Sequence, residues 1–507
     1  MASGATTPII PGCYPDPSIC RVGEEYYLAN SSFEWFPGVP IWRSPDLVNW
    51  EQVGNAIDQP DKFPAGELRT FQGIYAPTLR FHDGKFWLIT TLVGPNTSHV
   101  VYSAPEGWDR DPEGAWSGPI YIDGIGGIDP DLAWDEDGTC YLTCCTNSPN
   151  DFEISQARID LDTGTLLEEP RAIWKGTGMQ WPEGPHLYHI GEWWYLLTAE
   201  GGTERGHTVT VARGRSPEGP FMPCADNPIF TRRSTNHPVA SVGHSDLVQT
   251  PDGQWALVYL GVQPRGVFPE FHVNGRETYL AGIEWREGWP VVFPERYEVP
   301  SGGTGFKERY VKDSESAGDY VDWLTPRWTS PGYAPSQVAS FTEEGLKLVE
   351  AHAPNGAPSG MGVRVRDSHW SLEVDVSTAG CPALRLRQDE SHWYQVGIEN
   401  GQAYVRLQIG PVQETETAKT HGDTATLIVR SVEPGEVPSP GPDDIELAVR
   451  DDAGEHLLAR VDGRYLSTEV AGGFIGRLAL IHAQGCVSKP EEPDTETVVY
   501  EVRYKPL

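Results

Sequence analysis

The chain is short of basic residues. It has 38 Lys and Arg against 72 Asp and Glu, a formal net charge of −34 over 507 residues. Such acidity repels nucleic acid and anionic bilayers, so neither is expected as a partner. The chain also lacks any apolar run near the roughly 18 residues that a membrane-crossing helix needs. Its opening residues, MASGATTPIIPG, contain neither a basic nor an apolar segment. No secretory signal is read there, and a cytoplasmic location is expected. Cysteine is scarce, with eight residues at Cys13, Cys20, Cys140, Cys144, Cys145, Cys224, Cys381 and Cys486. None forms a CxxC pair, which argues against a zinc-ligand set and against a disulfide scaffold. Buried free thiols are expected instead. Long stretches with a 3.6-residue apolar period are missing too, so helices should be few.

What the chain does have is apolar and aromatic. With 38% hydrophobic and 10% aromatic residues it can build large cores, which excludes global disorder. Its 55 Gly and 44 Pro punctuate short runs rich in Tyr, Trp, Val, Ile and Leu. That pattern predicts an all-β protein with many short strands.

One motif recurs five times in the first 300 residues. The copies are DPSICRVGEEYYLAN from Asp16, APTLRFHDGKFWLIT from Ala76, DPDLAWDEDGTCYLT from Asp129, EGPHLYHIGEWWYLLT from Glu183 and HSDLVQTPDGQWALVYL from His244. Their first residues are 60, 53, 54 and 61 apart, and the turn glycines 23, 84, 138, 191 and 253 keep the same rhythm. A pair of hairpins at this period is one blade of a β-propeller. Residues 1–299 are therefore read as a five-bladed propeller.

The repeat stops at a glycine-rich stretch, read as a linker over 300–306. Residues 307–507 then alternate strand by strand without a repeat. Asn400-Gly401 between YQVGI and AYVRLQI is a strong hairpin signal. A C-terminal β-sandwich is expected, with the segment 433–444 as a solvated loop inside it.

In a propeller, equivalent residues of the innermost strands converge on the axis. The first residues of the copies are Asp16, Ala76, Asp129, Glu183 and His244. Three acids from three blades should therefore share one funnel. Crowded carboxylates raise one another's pKa, so one tends to keep its proton near neutrality. A protonated acid beside an ionised one is what glycoside hydrolysis uses. Asp before Pro also caps turns, so either Asp16 or Asp129 alone would read as structural. His244 should face the same channel, as a metal ligand, a partner of a carboxylate or a satisfied core histidine. Arg276 follows the fifth copy and could hold a carboxylate, a sugar hydroxyl or a surface partner. Phe33, Trp35, Phe36 and Tyr75 lie near the funnel, where rings could pack on sugar C–H faces or simply fill the core.

The blocks GCYPDPSI, SSFEWFPGVPI, SPDLVNW, GIYAPTLRFHDGKFWL, GIDPDLAWDEDG, WPEGPHLY, LTAEGGT, GHSDLVQT and GRETYLAGIEWREGWPV together resemble glycoside hydrolase family 43. The nearest likeness is to its β-xylosidases and α-L-arabinofuranosidases with an appended, concanavalin-like β-sandwich. The resemblance is dense over residues 8–298 and looser beyond. It implies a five-bladed propeller and inversion at the anomeric carbon. It implies Asp16 as general base, Glu183 as general acid and Asp129 as the residue that orients and tunes the acid. Arg276 matches the family's substrate-binding arginine. His244 matches a channel histidine that in some members faces a bound ion or its waters. No cofactor is required on this reading, although calcium or another ion could sit in the channel. Tyr75 stands where the β-xylosidases usually have Trp. Phe474, after Gly472-Gly473, is the candidate for the aromatic that the sandwich lends to the pocket. The resemblance implies an exo-acting enzyme that releases β-D-xylosyl units from xylo-oligosaccharides, with arabinose release from arabinoxylan as the alternative. A retaining fructan-processing enzyme lacks support because no WMNDPNG-type block occurs. A sugar-binding propeller without catalysis is disfavoured by the three acids. Homo-oligomerisation is left open.

Overall fold

The computed structural model describes residues 2–3, 6–63, 68–111, 115–148, 151–312, 319–485 and 496–507. Among them the protein is all-β, and its two α-helices, Pro335–Val338 and Thr468–Ala471, have four residues each. The first 300 residues form five antiparallel sheets of four or five strands. Each sheet is continuous in sequence. The first spans Ser18–Val22 to Glu51–Ile57, and the fifth spans Ala240–Gln249 to Trp289–Phe293.

Five hydrophobic clusters fill the gaps between neighbouring sheets and close them into a ring. Phe36, Leu79, Leu88 and Tyr102 lie between the first and second sheets. Ile89, Val101, Leu132 and Leu142 lie between the second and third. Ala133, Leu187 and Leu196 join the third to the fourth. Leu197, Val211, Leu257 and Tyr279 join the fourth to the fifth. The seam between fifth and first holds Ile10, Ile19, Leu28, Val258 and Leu280. Apolar burial closes the ring there, helped by the N-terminal segment: Ala2–Ser3 pairs with Glu298–Val299, the N–H groups of Ile9 and Ile10 donate to the Thr278 carbonyl, and the Thr278 N–H donates to the Ile10 carbonyl.

A polar knot fills the middle of the ring. Arg80 pairs with Asp131 at 2.6 Å and with Asp246 at 2.7 Å, and also reaches His186 Nδ1 at 2.9 Å. The Ser18 hydroxyl donates to Asp246 Oδ2 (2.7 Å), the Tyr188 hydroxyl to Asp246 Oδ1 (2.5 Å) and the Leu187 N–H to Asp131 Oδ2 (2.8 Å). These bonds fasten all five inner strands. Burial alone would raise the pKa of Asp246, but Arg80, His186 and the hydrogen bonds from Arg80 and Tyr188 carry it well below the carboxylate range.

Beyond residue 305 two sheets face each other. One pairs Trp370–Ser377 with Thr497–Pro506 and Thr424–Val432; the other is built around Leu478–Ala483 and Pro382–Arg387. Trp370, Leu372, Leu384, Val429 and Ile481 form part of the core between them. Phe306–Arg309 already pairs with Thr497–Pro506, so the C-terminal unit begins there. Asn400 and Gly401 both take positive φ, 52° and 68°, in the tight turn joining His392–Glu399 to Gln402–Ile409. Residues 433–439 are largely exposed, but Gly441, Pro442 and Asp443 are buried. The expectation of a solvated loop fails at that end because Asp443 forms a buried ion pair with Arg477.

The C-terminal unit is docked on the ring. Trp35–Phe36 pairs with Ser330–Pro331, and the Arg387 guanidinium reaches Glu34 at 3.3 Å. Six cysteines, Cys13 to Cys224, are buried free thiols. Cys381 is disulfide-bonded, which corrects the expectation that all eight are free; Cys486 lies outside the described residues.

Candidate active site

Each acid sits where its inner strand begins, and the local backbone is unusual there. Asp16, Asp129 and His244 all adopt left-handed φ, at 54°, 56° and 42°. Asp and His tolerate that region better than most side chains, at a cost on the order of 1–3 kcal/mol each. The ladders of the third, fourth and fifth sheets shift register between Ile128 and Asp131, between Glu183 and His186, and between Gly243 and Asp246. Such bulges turn a side chain off the regular alternation of a strand. Here they occur where Asp129, Glu183 and His244 leave the pleat.

The bulges at Asp129 and Glu183, together with Asp16 just ahead of Ser18–Val22, bring the three acids into electrostatic contact. Asp16 is buried and held by Arg276, whose Nη1 donates to Oδ1 at 2.9 Å and Nη2 to Oδ2 at 3.4 Å. The Ser31 hydroxyl donates to Oδ2 at 2.5 Å, and His244 Nδ1 stands 3.8 Å from Oδ1. Burial would raise the pKa of Asp16. Arg276, His244 and the Ser31 bond outweigh it, so the net shift is downward. Asp129 accepts a bond from the Gly184 N–H at 3.1 Å and shifts upward, through burial and the charge of Asp16, against the lowering effect of His244. Glu183 is raised to about 8, first by burial, then by Asp129 and Asp16, with Arg276 opposing. At neutral pH one carboxyl is thus held ionised and another protonated.

Gly184 makes this packing feasible. A Cβ there would come within 3.1 Å of the His244 ring, and its φ is +54°. Aromatic rings wall the site. Phe33 contacts Tyr75 and Phe474, with ring centroids 5.7 and 5.3 Å apart, and Phe71 contacts Phe474 at 5.8 Å. Phe474 comes from the C-terminal unit, and its carbonyl accepts a bond from Arg276 Nε at 3.2 Å. A cavity of about 430 Å³ opens beside Arg276 and Phe474, lined also by Thr203, Ser241, His272 and Glu469. A larger one of about 880 Å³ lies at the seam near Trp42, Trp50 and Arg366, and none of the three acids lines either cavity.

The structure therefore gathers Asp16, Asp129, Glu183, Arg276, His244, Phe33, Tyr75 and Phe474. It does not gather Trp35, which is 1% exposed and lies under the Arg364 guanidinium in the interface between the two units. Trp35 has no face to offer a sugar. Phe36 stacks on Phe63 in the core between the first two sheets. Phe33 is itself buried and backs the wall that the partly accessible Tyr75 and Phe474 complete. His244 contacts a carboxylate and the glycine beside Glu183. Among the described residues no group of three or more His, Cys, Asp or Glu is arranged to hold a metal ion. In the ring's centre the Arg80 guanidinium already supplies the positive charge that Asp131 and Asp246 require. These residues therefore do not fit a channel cation.

Sequence reasoning missed Ser31, Phe71, Thr203 and the Arg80 knot. The knot had a legible signal, because Ser18, Asp131 and Asp246 each lie two residues after the first residue of their copy. Phe71 lies outside every copy and had none.

Two carboxyls of opposite protonation, beside a wall of aromatic rings, are the equipment of a glycoside hydrolase. Comparison with known proteins agrees. The model for glycosyl hydrolases family 43 matches residues 5–290, and the chain belongs to that family and is a glycosidase. It is 34% identical over 504 residues to a xylosidase/arabinosidase of Butyrivibrio fibrisolvens, covering 93% of this chain and 94% of the relative. It is 33% identical over 506 residues to the non-reducing end alpha-L-arabinofuranosidase BoGH43B of Bacteroides ovatus, covering 94% and 91%. The crystal structure of xylan beta-1,4-xylosidase from Bacillus halodurans C-125 superposes with a TM-score of 0.84 at 25% identity, over 99% of both chains.

Proposed function

We propose that the protein is an exo-acting, inverting glycosidase that removes terminal β-D-xylosyl units from xylo-oligosaccharides. The observation that carries this reading is the meeting of Asp16, ion-paired with Arg276 at 2.9 Å, with Asp129 and Glu183 beside the Tyr75–Phe474 wall, an arrangement that shifts Asp16 down and Glu183 up. Asp16, ionised and held by Arg276, takes a proton from water as the water attacks the anomeric carbon. Glu183, protonated at neutral pH, gives its proton to the departing glycosidic oxygen. Asp129 bonds the Gly184 N–H and keeps the proton on Glu183 by its charge. No step is assigned to a metal. The five-sheet ring is read as a five-bladed β-propeller over 1–299, and the facing sheets as a β-sandwich over 307–507 joined through 300–306. Phe474 closing one wall from that second unit supports attack on chain ends.

A second reading, release of α-L-arabinofuranose side chains, is favoured by Tyr75 in the sugar-facing wall and by the names of the relatives. Hydrolysis of p-nitrophenyl β-xyloside and p-nitrophenyl α-L-arabinofuranoside, with the product anomer followed by proton NMR, tests both. Faster β-xyloside cleavage giving α-xylose first is expected. Initial release of β-xylose would overturn the inverting assignment, and faster arabinofuranoside cleavage would move the specificity to the second reading.

A further inference from the structure

Arg276 is reached through a strap, residues 272–276, that belongs to no strand. A segment of the C-terminal unit, residues 469–477, runs along it and supplies partners that a strand neighbour would otherwise give. The His272 N–H donates to Glu469 Oε2 at 3.0 Å, and His272 Nδ1 lies 2.7 Å from Glu469 Oε1. The Arg477 N–H donates to the Val273 carbonyl at 3.1 Å. At Gly476 the two backbones approach so closely that a Cβ would fall 2.3 Å from the Asn274 carbonyl oxygen. The far end is closed by Arg276 Nε on the Phe474 carbonyl at 3.2 Å. A Cβ on Gly473 would strike the Phe71 ring at 2.1 Å, so the same segment is fitted to the aromatic wall.

The Glu469–His272 pair is the one place along this clamp where two side chains from different units meet through both a backbone and a ring nitrogen bond. Burial would raise the pKa of Glu469, yet the His272 bonds and charge bring it down, so the carboxylate is ionised at neutral pH. Glu204 and Arg205 line the same cavity, and Arg205 pairs with Glu270 at 3.2 Å.

We infer that Glu469 and His272 are positioning residues, whose hydrogen bonds latch the C-terminal unit to the strap and thereby fix Phe474 and Arg276 relative to Asp16. The inference rests on the glycosidase site described above. Its consequence follows from charge. Asp16 faces Arg276, His244, His207 and the Ser31 hydroxyl, and it acts in turn on Asp129, Glu183, Tyr75 and Cys13. Of these, Arg276 is the largest influence that holds Asp16 ionised. A slack latch therefore weakens both the sugar wall and the ionisation of the base.

The test compares Glu469→Ala, Glu469→Gln and His272→Gln with the wild-type chain on the better aryl pentoside, recording kcat and KM from pH 4 to 9 and the urea midpoint. Glu469→Ala is expected to raise KM about tenfold, as a small misplacement of a substrate-positioning group does. The acid limb of kcat/KM should move to higher pH, because Asp16 loses part of its hold on Arg276. Glu469→Gln keeps an acceptor for the His272 N–H and should recover most of the loss, and His272→Gln should resemble it. A purely structural role would lower the urea midpoint and leave the acid limb in place. Wild-type KM and acid limb in Glu469→Ala, or equal losses in Glu469→Ala and Glu469→Gln with an unmoved limb, would overturn the latch. Should Glu469→Ala fail to fold, Glu469→Met, which keeps the side chain's bulk but removes both acceptors for His272, takes its place, and an unmoved limb and KM in that variant would do the same. A wild-type chain inactive on every pentoside would instead remove the glycosidase site on which the latch depends.

Discussion

Glu183 can donate a proton only while it keeps one. Its carboxyl is raised to about 8 by burial and by Asp129 and Asp16. The profile of kcat/KM should therefore fall on the alkaline side near pH 8, with apparent values that belong to the acid cluster as a whole. Asp129→Asn removes a charge that favours the protonated form, so that limb should move to lower pH. Glu183→Ala should damage hydrolysis of xylo-oligosaccharides far more than that of an activated aryl glycoside, because a good leaving group departs without a proton. Steady-state kinetics on both substrates checks this, and equal losses would remove Glu183 from the acid role. The same shift has a thermodynamic sign. Between the ordinary 4.5 and about 8 the folded protein holds a proton that the unfolded chain has released. Stability from this group is full below the lower value and is lost as pH rises through the upper one. Glu183→Gln does not titrate, so its urea midpoint should gain on the wild type steadily from pH 5 to 8.

At the scale of elements, the inner strands serve two masters. The first residues of four of the five copies face the site, and residues two to five positions on enter the knot around Arg80. The two layers are separated by bulges, so a strand can be regular below and strained above. Arg80→Met would leave Asp131 and Asp246 buried without their cation. Breaking a buried pair in this way costs about 3–5 kcal/mol. A fall of that size in unfolding free energy, measured by urea denaturation, is expected. A change below about 0.5 kcal/mol, the range of ordinary surface substitutions, would show that the knot does not hold the strands together.

At the scale of the molecule, the site is composite. The ring supplies the acids and Arg276, and the second unit supplies Phe474 and the partners of the strap. The interface that joins them rests on Trp35, Glu34–Arg387 and the pairing of Trp35–Phe36 with Ser330–Pro331. Trp35→Ala should cost about 3–5 kcal/mol, as for other buried Trp residues. It should also raise KM, since Phe474 is placed through the same interface. Calorimetry and kinetics on one preparation would show both effects, and an unchanged KM despite a lower Tm would separate the interface from the site.

The sequence by itself determined the all-β class, the fivefold repeat and the positions of three acids. Each copy carries its own turn glycine and alternating strand, and those are local signals. It also marked the Asn400-Gly401 turn, because two successive left-handed residues demand that chemistry. Tertiary structure alone decided which aromatics meet the site. Trp35 and Phe33 lie two residues apart, yet one is buried against Arg364 and the other against Tyr75 and Phe474. No local pattern distinguishes them, because the guanidinium that covers Trp35 comes from Arg364, far along the chain. The protonation states belong to the same category. Asp16 and Glu183 begin equivalent copies, and they part only when Arg276 closes on one and two carboxylates crowd the other. An ion pair formed across 260 positions of chain is set by the closure of the ring, where burial makes each neighbouring charge count far more than it would in water.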